Sequence, residues 1–337
     1  MIYPDFLNEN GTIGIPAPSA GANDIQRKNR ILNAKKYFEQ TGYKLVMSDN
    51  IMNCERGRSS ENTNRAAELN EMFKNKDINF ILCAMGGDFL IEILPYIDFN
   101  ILKENPKFIA GFSDPTGLLY PITTKLDIAT IYGQNFSSFG TDSLHICHKY
   151  FLDIVKGKKL SEESFDLYEE IPFQRETGTE GMNLTHKVFW NTLDGKPVNV
   201  KGRIIGGCFD VISELIGTRF DGFKEFGEKY KDDGIIWYFD NCEISMEETI
   251  RILWKMNEFD YFKYAKCVIF GRFGVETSIL DYNVKSCLKD SILGKLNIPI
   301  IYNADISHKD PCLTIINGSI IYLNVGEGKA NLSFELK

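Results

Sequence analysis

Residues 106–119 read PKFIAGFSDPTGLL, an apolar run that passes through a Gly-x-Ser turn into a helix-starting sequence. In it Asp114 suits a helix N-cap and Pro115 the first helical position. A strand, a sharp turn and a helix in that order make the repeating unit of an α/β sheet, and the flanking sequence repeats it. Apolar runs at 13–16, 43–47, 80–85, 107–111 and 128–132 alternate with stretches at 22–41 and 62–76 that carry Ala, Leu, Lys and Glu at helical spacing. Short buried strands separated by helices predict a doubly wound parallel sheet, flavodoxin-like, over residues 1–162.

The rhythm breaks at 163–200, where EESFDLYEE and RETGTEGMN are rich in Glu, Gly and Thr, and a linker or insertion is expected there. A second pattern begins at Lys201, with strands expected near Ile204 and at 235–239, 268–271 and 298–303. The run LTIINGSIIYL follows, its Asn317-Gly318 pair between apolar runs signalling a β-hairpin. Residues 201–337 are therefore expected to form a C-terminal α/β domain with a mixed sheet. Two domains also suit the length of 337 residues, which exceeds what a single core normally serves.

Composition narrows the functional class. Forty-three per cent hydrophobic and 25% charged residues are globular proportions, and no apolar run reaches the length of a membrane helix. The opening MIYPDFLNENGTIGIP lacks a basic head, apolar stretch and cleavage site, so a cytoplasmic location is expected. Eight cysteines without a CxxC pair read as reduced thiols, not a zinc site. A formal charge of −8 without a basic run argues against nucleic-acid polymers and for a small or peptide-like substrate.

The chemistry-bearing candidates lie at the ends of the expected strands. Ser113, on the strand-to-helix turn, would present its hydroxyl, and the amide of Asp114 would face an oxyanion. Serving only to cap the helix is the plainer role for the same residues. FILCAMGGDFL puts Gly86 and Gly87 after a buried strand, on the crevice side of a doubly wound sheet, where their amides supply the other half of an oxyanion hole. No GxGxxG or GxxxxGK[ST] motif is present, which leaves nucleotide binding by that loop without support.

Four histidines are available as a general base. His145 and His148 lie one helical turn apart and read as an amphipathic face, and His186 falls in the irregular middle. His308 follows IPIIYNAD in a polar loop closed by Pro311. The carboxylates cluster in GIIWYFDNCEIS, where an apolar strand ends in Asp240, with Glu243 close behind. Such a carboxylate holds a histidine in one tautomer, whereas capping the following helix is the alternative for Asp240 or Ser245.

Taken together, IGIPAPSAG, GGDFLIEILPYIDF, PKFIAGFSDPTGLL, GRIIGG, the acidic strand end and the histidine loop resemble, in this order, the LD-carboxypeptidase family, which includes the microcin C self-immunity hydrolases. The resemblance spans nearly the whole chain. It implies a nucleophile in the N-terminal domain, an acid and histidine in the C-terminal domain, and the order Ser113, Asp240, His308. The family usually carries Glu at the acid position, so the Asp here is a departure that keeps Glu243 as the alternative acid.

The implied reaction is serine peptidase chemistry with no metal or cofactor, and a homodimer is suggested. Removal of the terminal D-alanine from murein-type tetrapeptides is the first expectation. Hydrolysis of peptidyl or aminoacyl nucleotides of the microcin C type is the alternative, with Trp190 as a base-stacking aromatic, although core packing is the plainer role for a lone Trp. A reading of another class is a non-catalytic peptide- or nucleotide-binding protein whose triad is incomplete.

Overall fold

The computed structural model describes residues 1–171 and 175–337, and residues 172–174, inside the expected linker, lie outside the described residues. The chain divides into two compact units. The first comprises Met1–Leu160, Phe173–Met182 and Thr314–Asn317; the second comprises Ser161–Pro172, Asn183–Leu313 and Gly318–Lys337.

In the first unit, strands β1 (Thr12–Ile15), β2 (Lys44–Met47), β3 (Ile78–Leu82), β4 (Ile109–Gly111) and β5 (Thr130–Tyr132) alternate with helices α1 (Ile25–Gln40), α2 (Asn62–Lys74), α3 (Phe99–Glu104) and α4 (Thr116–Leu126), and α5 (Ile146–Val155) follows. The five strands run parallel in the order β5-β4-β3-β1-β2, the doubly wound arrangement expected, and Ile315–Asn317 adds an antiparallel strand beside β5. Helix α1 buries Ile31, Ala34 and Phe38 against the sheet, and Phe38 stacks on Phe136 with ring centroids 5.5 Å apart. Strand order reverses between β1 and β3, so the loops after β1, β3 and β4 meet at the carboxyl edge where such sheets bind ligands.

The second unit contains β6 (Ser161–Glu163), β7 (Leu167–Tyr168), β8 (His186–Lys187), β9 (Asn191–Thr192), β10 (Val198–Cys208), β11 (Ile235–Asp240), β12 (Ala265–Gly271) and β13 (Ile300–Ala304). With Ile315–Asn317 counted as β14, the chain ends in β15 (Ile320–Gly326) and β16 (Lys329–Glu335), and its helices are α6 (Phe209–Leu215), α7 (Phe223–Lys229), α8 (Met246–Glu258) and α9 (Val284–Asp290). The sheet is mixed, in the order β6-β16-β15-β10-β11-β12-β13-β9, with β10 to β13 parallel and the flanking strands antiparallel. Every residue of β11 is buried, and Trp237 alone removes enough apolar surface to contribute roughly 2–3 kcal/mol.

Two local expectations change. The Asn317-Gly318 turn does not join a hairpin, because β14 pairs with β5 while β15 pairs with β10 and β16. The hairpin forms one strand later, between β15 and β16, where Glu327 (φ 52°) and Gly328 (φ 77°) supply the two left-handed residues a tight two-residue turn needs. Secondly, the described residues of 163–200, expected as a linker or an insertion, hold regular structure. They carry β7 to β9 and the start of β10, and β6 and β9 form the two edges of the large sheet. Among the described residues no helix is long and apolar enough to cross a membrane.

Candidate active site

Ser113 sits at the sharp turn between β4 and α4 with φ 69°, a left-handed conformation that costs a non-glycine residue roughly 1–2 kcal/mol. The neighbouring Phe112 is clamped at both polar atoms by Asn135, which accepts from the Phe112 N–H at 2.9 Å and donates to its carbonyl at 3.1 Å. The Ser113 N–H itself donates to Tyr132 Oη at 3.4 Å. These bonds hold a strained turn open, as a nucleophile turn requires.

Asp114 does not cap α4, contrary to expectation. The residue is 2% exposed, and its carboxylate makes no cap bond to α4 but accepts from Ser19 Oγ and, at 2.9 Å, from the Leu90 N–H. Burial pushes this carboxyl above its ordinary value, although those two donors oppose the shift. The side chain thus ties together the loops after β1, β3 and β4. Gly86 lies directly beside Ser113, where a β-carbon would stand 3.2 Å from Ser113 Cβ and 3.4 Å from Oγ. Gly87 follows on the same loop and, with Gly86, lines a cavity of about 280 Å³ in this unit.

In the second unit β11 carries Asp240, fully buried, at its carboxyl end. Asp240 Oδ1 lies 2.9 Å from His308 Nδ1 and 3.2 Å from the His308 backbone nitrogen. A carboxylate only accepts, so Nδ1 carries the proton and Nε2 is the basic nitrogen. Burial of the ring opposes its protonation, but the charge of Asp240 and its hydrogen bond outweigh that cost, with Cys242 adding to them. His308 is thereby held well above the ordinary imidazole value.

The other candidates occupy different positions. Glu243 is exposed, and its backbone N–H donates to Asp210 Oδ1 at 2.8 Å. Helix α8 is capped by Ser245, in a reciprocal pair with Glu248, not by Asp240. Trp190 is 2% exposed and donates its indole N–H to Asp305 Oδ2 at 3.0 Å, so it is a core residue with no open face for a nucleobase. His145 caps α5, and burial pushes the imidazole of His148 down to about 4. His186 lies exposed on β8.

Two residues, Asp210 at the turn after β11 and Arg272 at the histidine loop, escaped the sequence reading, whereas Asp305 is the fallback acid of that reading. Asp210 accepts the backbone N–H groups of Cys242 at 2.9 Å and Glu243, fixing the turn after β11. Arg272, 4% exposed, pairs with buried Asp305 and donates to the carbonyls of Lys309 at 2.7 Å and Pro311 at 3.1 Å, gripping the loop just beyond His308. Asp305 also accepts from the Phe165 N–H at 3.0 Å. The only sequence signal for Arg272 was a cation at the end of an apolar strand, which is also what an ordinary solvated strand end shows.

Comparison with known proteins assigns the class. Residues 13–133 match the LD-carboxypeptidase N-terminal domain and residues 201–323 the LD-carboxypeptidase C-terminal domain. The protein is a peptidase of the serine class. More narrowly, the chain belongs to the LD-carboxypeptidase family. It is 27% identical to the microcin C7 self-immunity protein MccF of Escherichia coli over 310 residues, which cover 90% of this chain and 88% of that protein. Its fold is shared with a solved structure of a MccF variant in complex with adenosine monophosphate (TM-score 0.83, 24% identity, 100% of this chain and 99% of that one). It is also shared with muramoyltetrapeptide carboxypeptidase from Oxalobacter formigenes (TM-score 0.74, 18% identity, 96% and 99%).

Proposed function

We propose that the protein is a serine carboxypeptidase in which Ser113 is the nucleophile, His308 the general base and Asp240 the orienting acid. The observation that carries this reading is the bond between buried Asp240 and His308 Nδ1, which leaves Nε2 to take a proton. Ser113 Oγ attacks the scissile carbonyl as His308 Nε2 removes its proton, and the amides of Asp114 and the Gly86-Gly87 loop receive the developing oxyanion. The imidazolium then protonates the departing nitrogen. Water, activated by the same histidine, releases the acyl group. Each oxyanion donor in such a site is worth roughly 3–4 kcal/mol in the transition state.

The substrate assigned is a murein-type tetrapeptide that loses its terminal D-amino acid, the reaction for which the family is named. A second reading, hydrolysis of peptidyl or aminoacyl nucleotides, is favoured by the 27% identity to the microcin C7 self-immunity protein across most of both chains. The enzyme is assigned to the cytoplasm as a homodimer, which light scattering of the purified protein would test.

A fluorophosphonate probe separates these readings from a non-catalytic binding protein. Labelling of Ser113 that disappears in His308→Ala supports the triad, and a folded protein that takes no label defeats it. Hydrolysis of murein tetrapeptide against that of aminoacyl-sulfamoyl adenosine then decides the substrate.

A further inference from the structure

Beside the Gly86-Gly87 loop the first unit holds a cavity of about 280 Å³, room for a single amino acid and small beside ordinary drug-sized pockets. Its wall includes Arg27, Arg30, Asp88, Gly86, Gly87 and Ser137. Gly86 belongs at once to this wall and to the surroundings of Ser113, so a group in the cavity is one residue removed from the nucleophile.

Of the two cations Arg30 is set in place by the fold, while Arg27 is exposed and pairs with Asp24 at 3.4 Å. Arg30 donates through Nε to the Gly178 carbonyl at 2.5 Å, while Gln26 and Asn29, on the same helix α1, donate to the carbonyls of Arg175 at 2.5 Å and Thr177 at 2.9 Å. Residues 175–178 are thereby laid along α1, and their own turn is pinned by Glu180, which accepts from the N–H groups of Glu176, Thr177 and Gly178. A bond through Nε fixes the plane of a guanidinium, and a planar fork with fixed orientation suits a carboxylate better than a lysine would.

We propose that this cavity is the leaving-group subsite, with Arg30 and Arg27 reading the carboxylate of the departing D-amino acid and Asp88 facing its nitrogen. The inference rests on the carboxypeptidase reading given above and adds the residues that make the enzyme act at a chain end. The chemistry is matched at both stages. Before cleavage the terminal residue offers a carboxylate and an amide nitrogen; after cleavage it is a zwitterion, and the wall carries cations together with a single carboxylate, Asp88. An internal peptide bond has no carboxylate to place there, and a site built around a charged partner discriminates strongly against ligands that lack it.

The test is direct binding of D-alanine and of D-alaninamide, followed by ligand-observed NMR, to the wild-type protein and to Arg30→Gln and Arg27→Gln. Glutamine keeps a donor for the Gly178 carbonyl and removes the charge. D-Alanine should bind the wild type, Arg30→Gln should weaken it by roughly tenfold or more, and Arg27→Gln by less. The amide should bind weakly and equally to all three.

Equal binding of acid and amide, unchanged binding of D-alanine in both variants, or no binding of D-alanine by the wild type would overturn the proposal. Adenosine monophosphate serves as a further arm: if its binding, and not that of D-alanine, depends on Arg30, the cavity reads a phosphate and the carboxylate assignment falls. Should Arg30→Gln lose its native circular dichroism, Arg27→Gln decides. Fluorophosphonate labelling of Ser113, run on the same samples, judges the triad separately, because the binding measurement does not depend on turnover.

Discussion

Asp240 Oδ1 accepts twice from His308, from the ring Nδ1–H at 2.9 Å and from the backbone N–H at 3.2 Å, so one buried oxygen fixes both the tautomer and the position of the histidine. Asp240 sits at the very end of β11 and reaches the histidine's own backbone.

That relationship sets the pH dependence. His308 is held above the ordinary imidazole value of about 6.5, so kcat/KM should rise with pH through an apparent pKa above that figure. The same shift stabilises the fold. Its contribution is complete below the unfolded imidazole pKa and is lost as pH rises through the raised folded one. Asp240→Asn should remove this pH-dependent stability and lower kcat by roughly 10³- to 10⁴-fold, because the amide permits the wrong tautomer. Glu243→Gln, at an exposed position, should leave both unchanged. Rate profiles and denaturant melts from pH 5 to 9 would check the set, and equal losses in the two variants would remove Asp240 from its assigned role.

Gly86→Ala tests the crowding around Ser113. The added methyl would stand 3.2 Å from Ser113 Cβ, tighter than ordinary contact, so the serine turn or the glycine loop must yield by a few tenths of an ångström. Overpacking of this kind costs about 1–3 kcal/mol. A fall in kcat of roughly tenfold or more is expected, since a displacement of that size misaligns the proposed nucleophile and oxyanion donors. Single-turnover kinetics with a p-nitrophenyl ester would measure it, and an unchanged acylation rate would show that the loop stands clear of the reaction.

Trp190→Phe separates packing from recognition. The indole N–H donates to Asp305, and its loss leaves a buried carboxylate oxygen with one donor fewer, for about 1–3 kcal/mol of stability. KM for nucleotide-bearing substrates should not change. A raised KM at unchanged melting temperature would return Trp190 to the binding site.

What the sequence disclosed and what it withheld divide along range of interaction. The parallel strands were legible because strands such as β3 and β11 are short, apolar and bounded by turns, all local properties. The Asn317-Gly318 turn misled because turn chemistry reports the backbone of the turn and not which sheets its two strands join. Asp114 read as a cap since Asp before Pro usually is one; its actual partners, Ser19 and Leu90, are 95 and 24 residues away. For Trp190 the sequence offers both base stacking and core packing and does not decide between them, because its acceptor lies 115 residues further on. The polar stretch 163–200 looked like a linker because strands of two or three residues at sheet edges are too short to show a period.

The pairing of Arg272 with Asp305 yields the last prediction. Arg272 binds the carbonyls of Lys309 and Pro311, and Asp305 accepts from Arg272, the Phe165 N–H and the Trp190 indole, all within a buried cluster beside the loop that carries His308. Removing one partner of a buried ion pair strands the other charge and typically costs about 3–5 kcal/mol. Asp305→Ala should exceed Arg272→Met in that cost, because it also strands two neutral donors. Both should lower kcat more than KM if the loop they release carries the general base proposed above. Lys309→Met provides the control. Its Nζ bonds to Glu170 at 2.6 Å and Glu276 at 3.0 Å involve carboxylates that remain partly exposed, so the loss should be well under that of either cluster variant. Urea melts together with steady-state rates would rank the three. If Lys309→Met proved the most damaging to kcat, the loop would be held by its ammonium group and the Arg272–Asp305 pair would be packing alone.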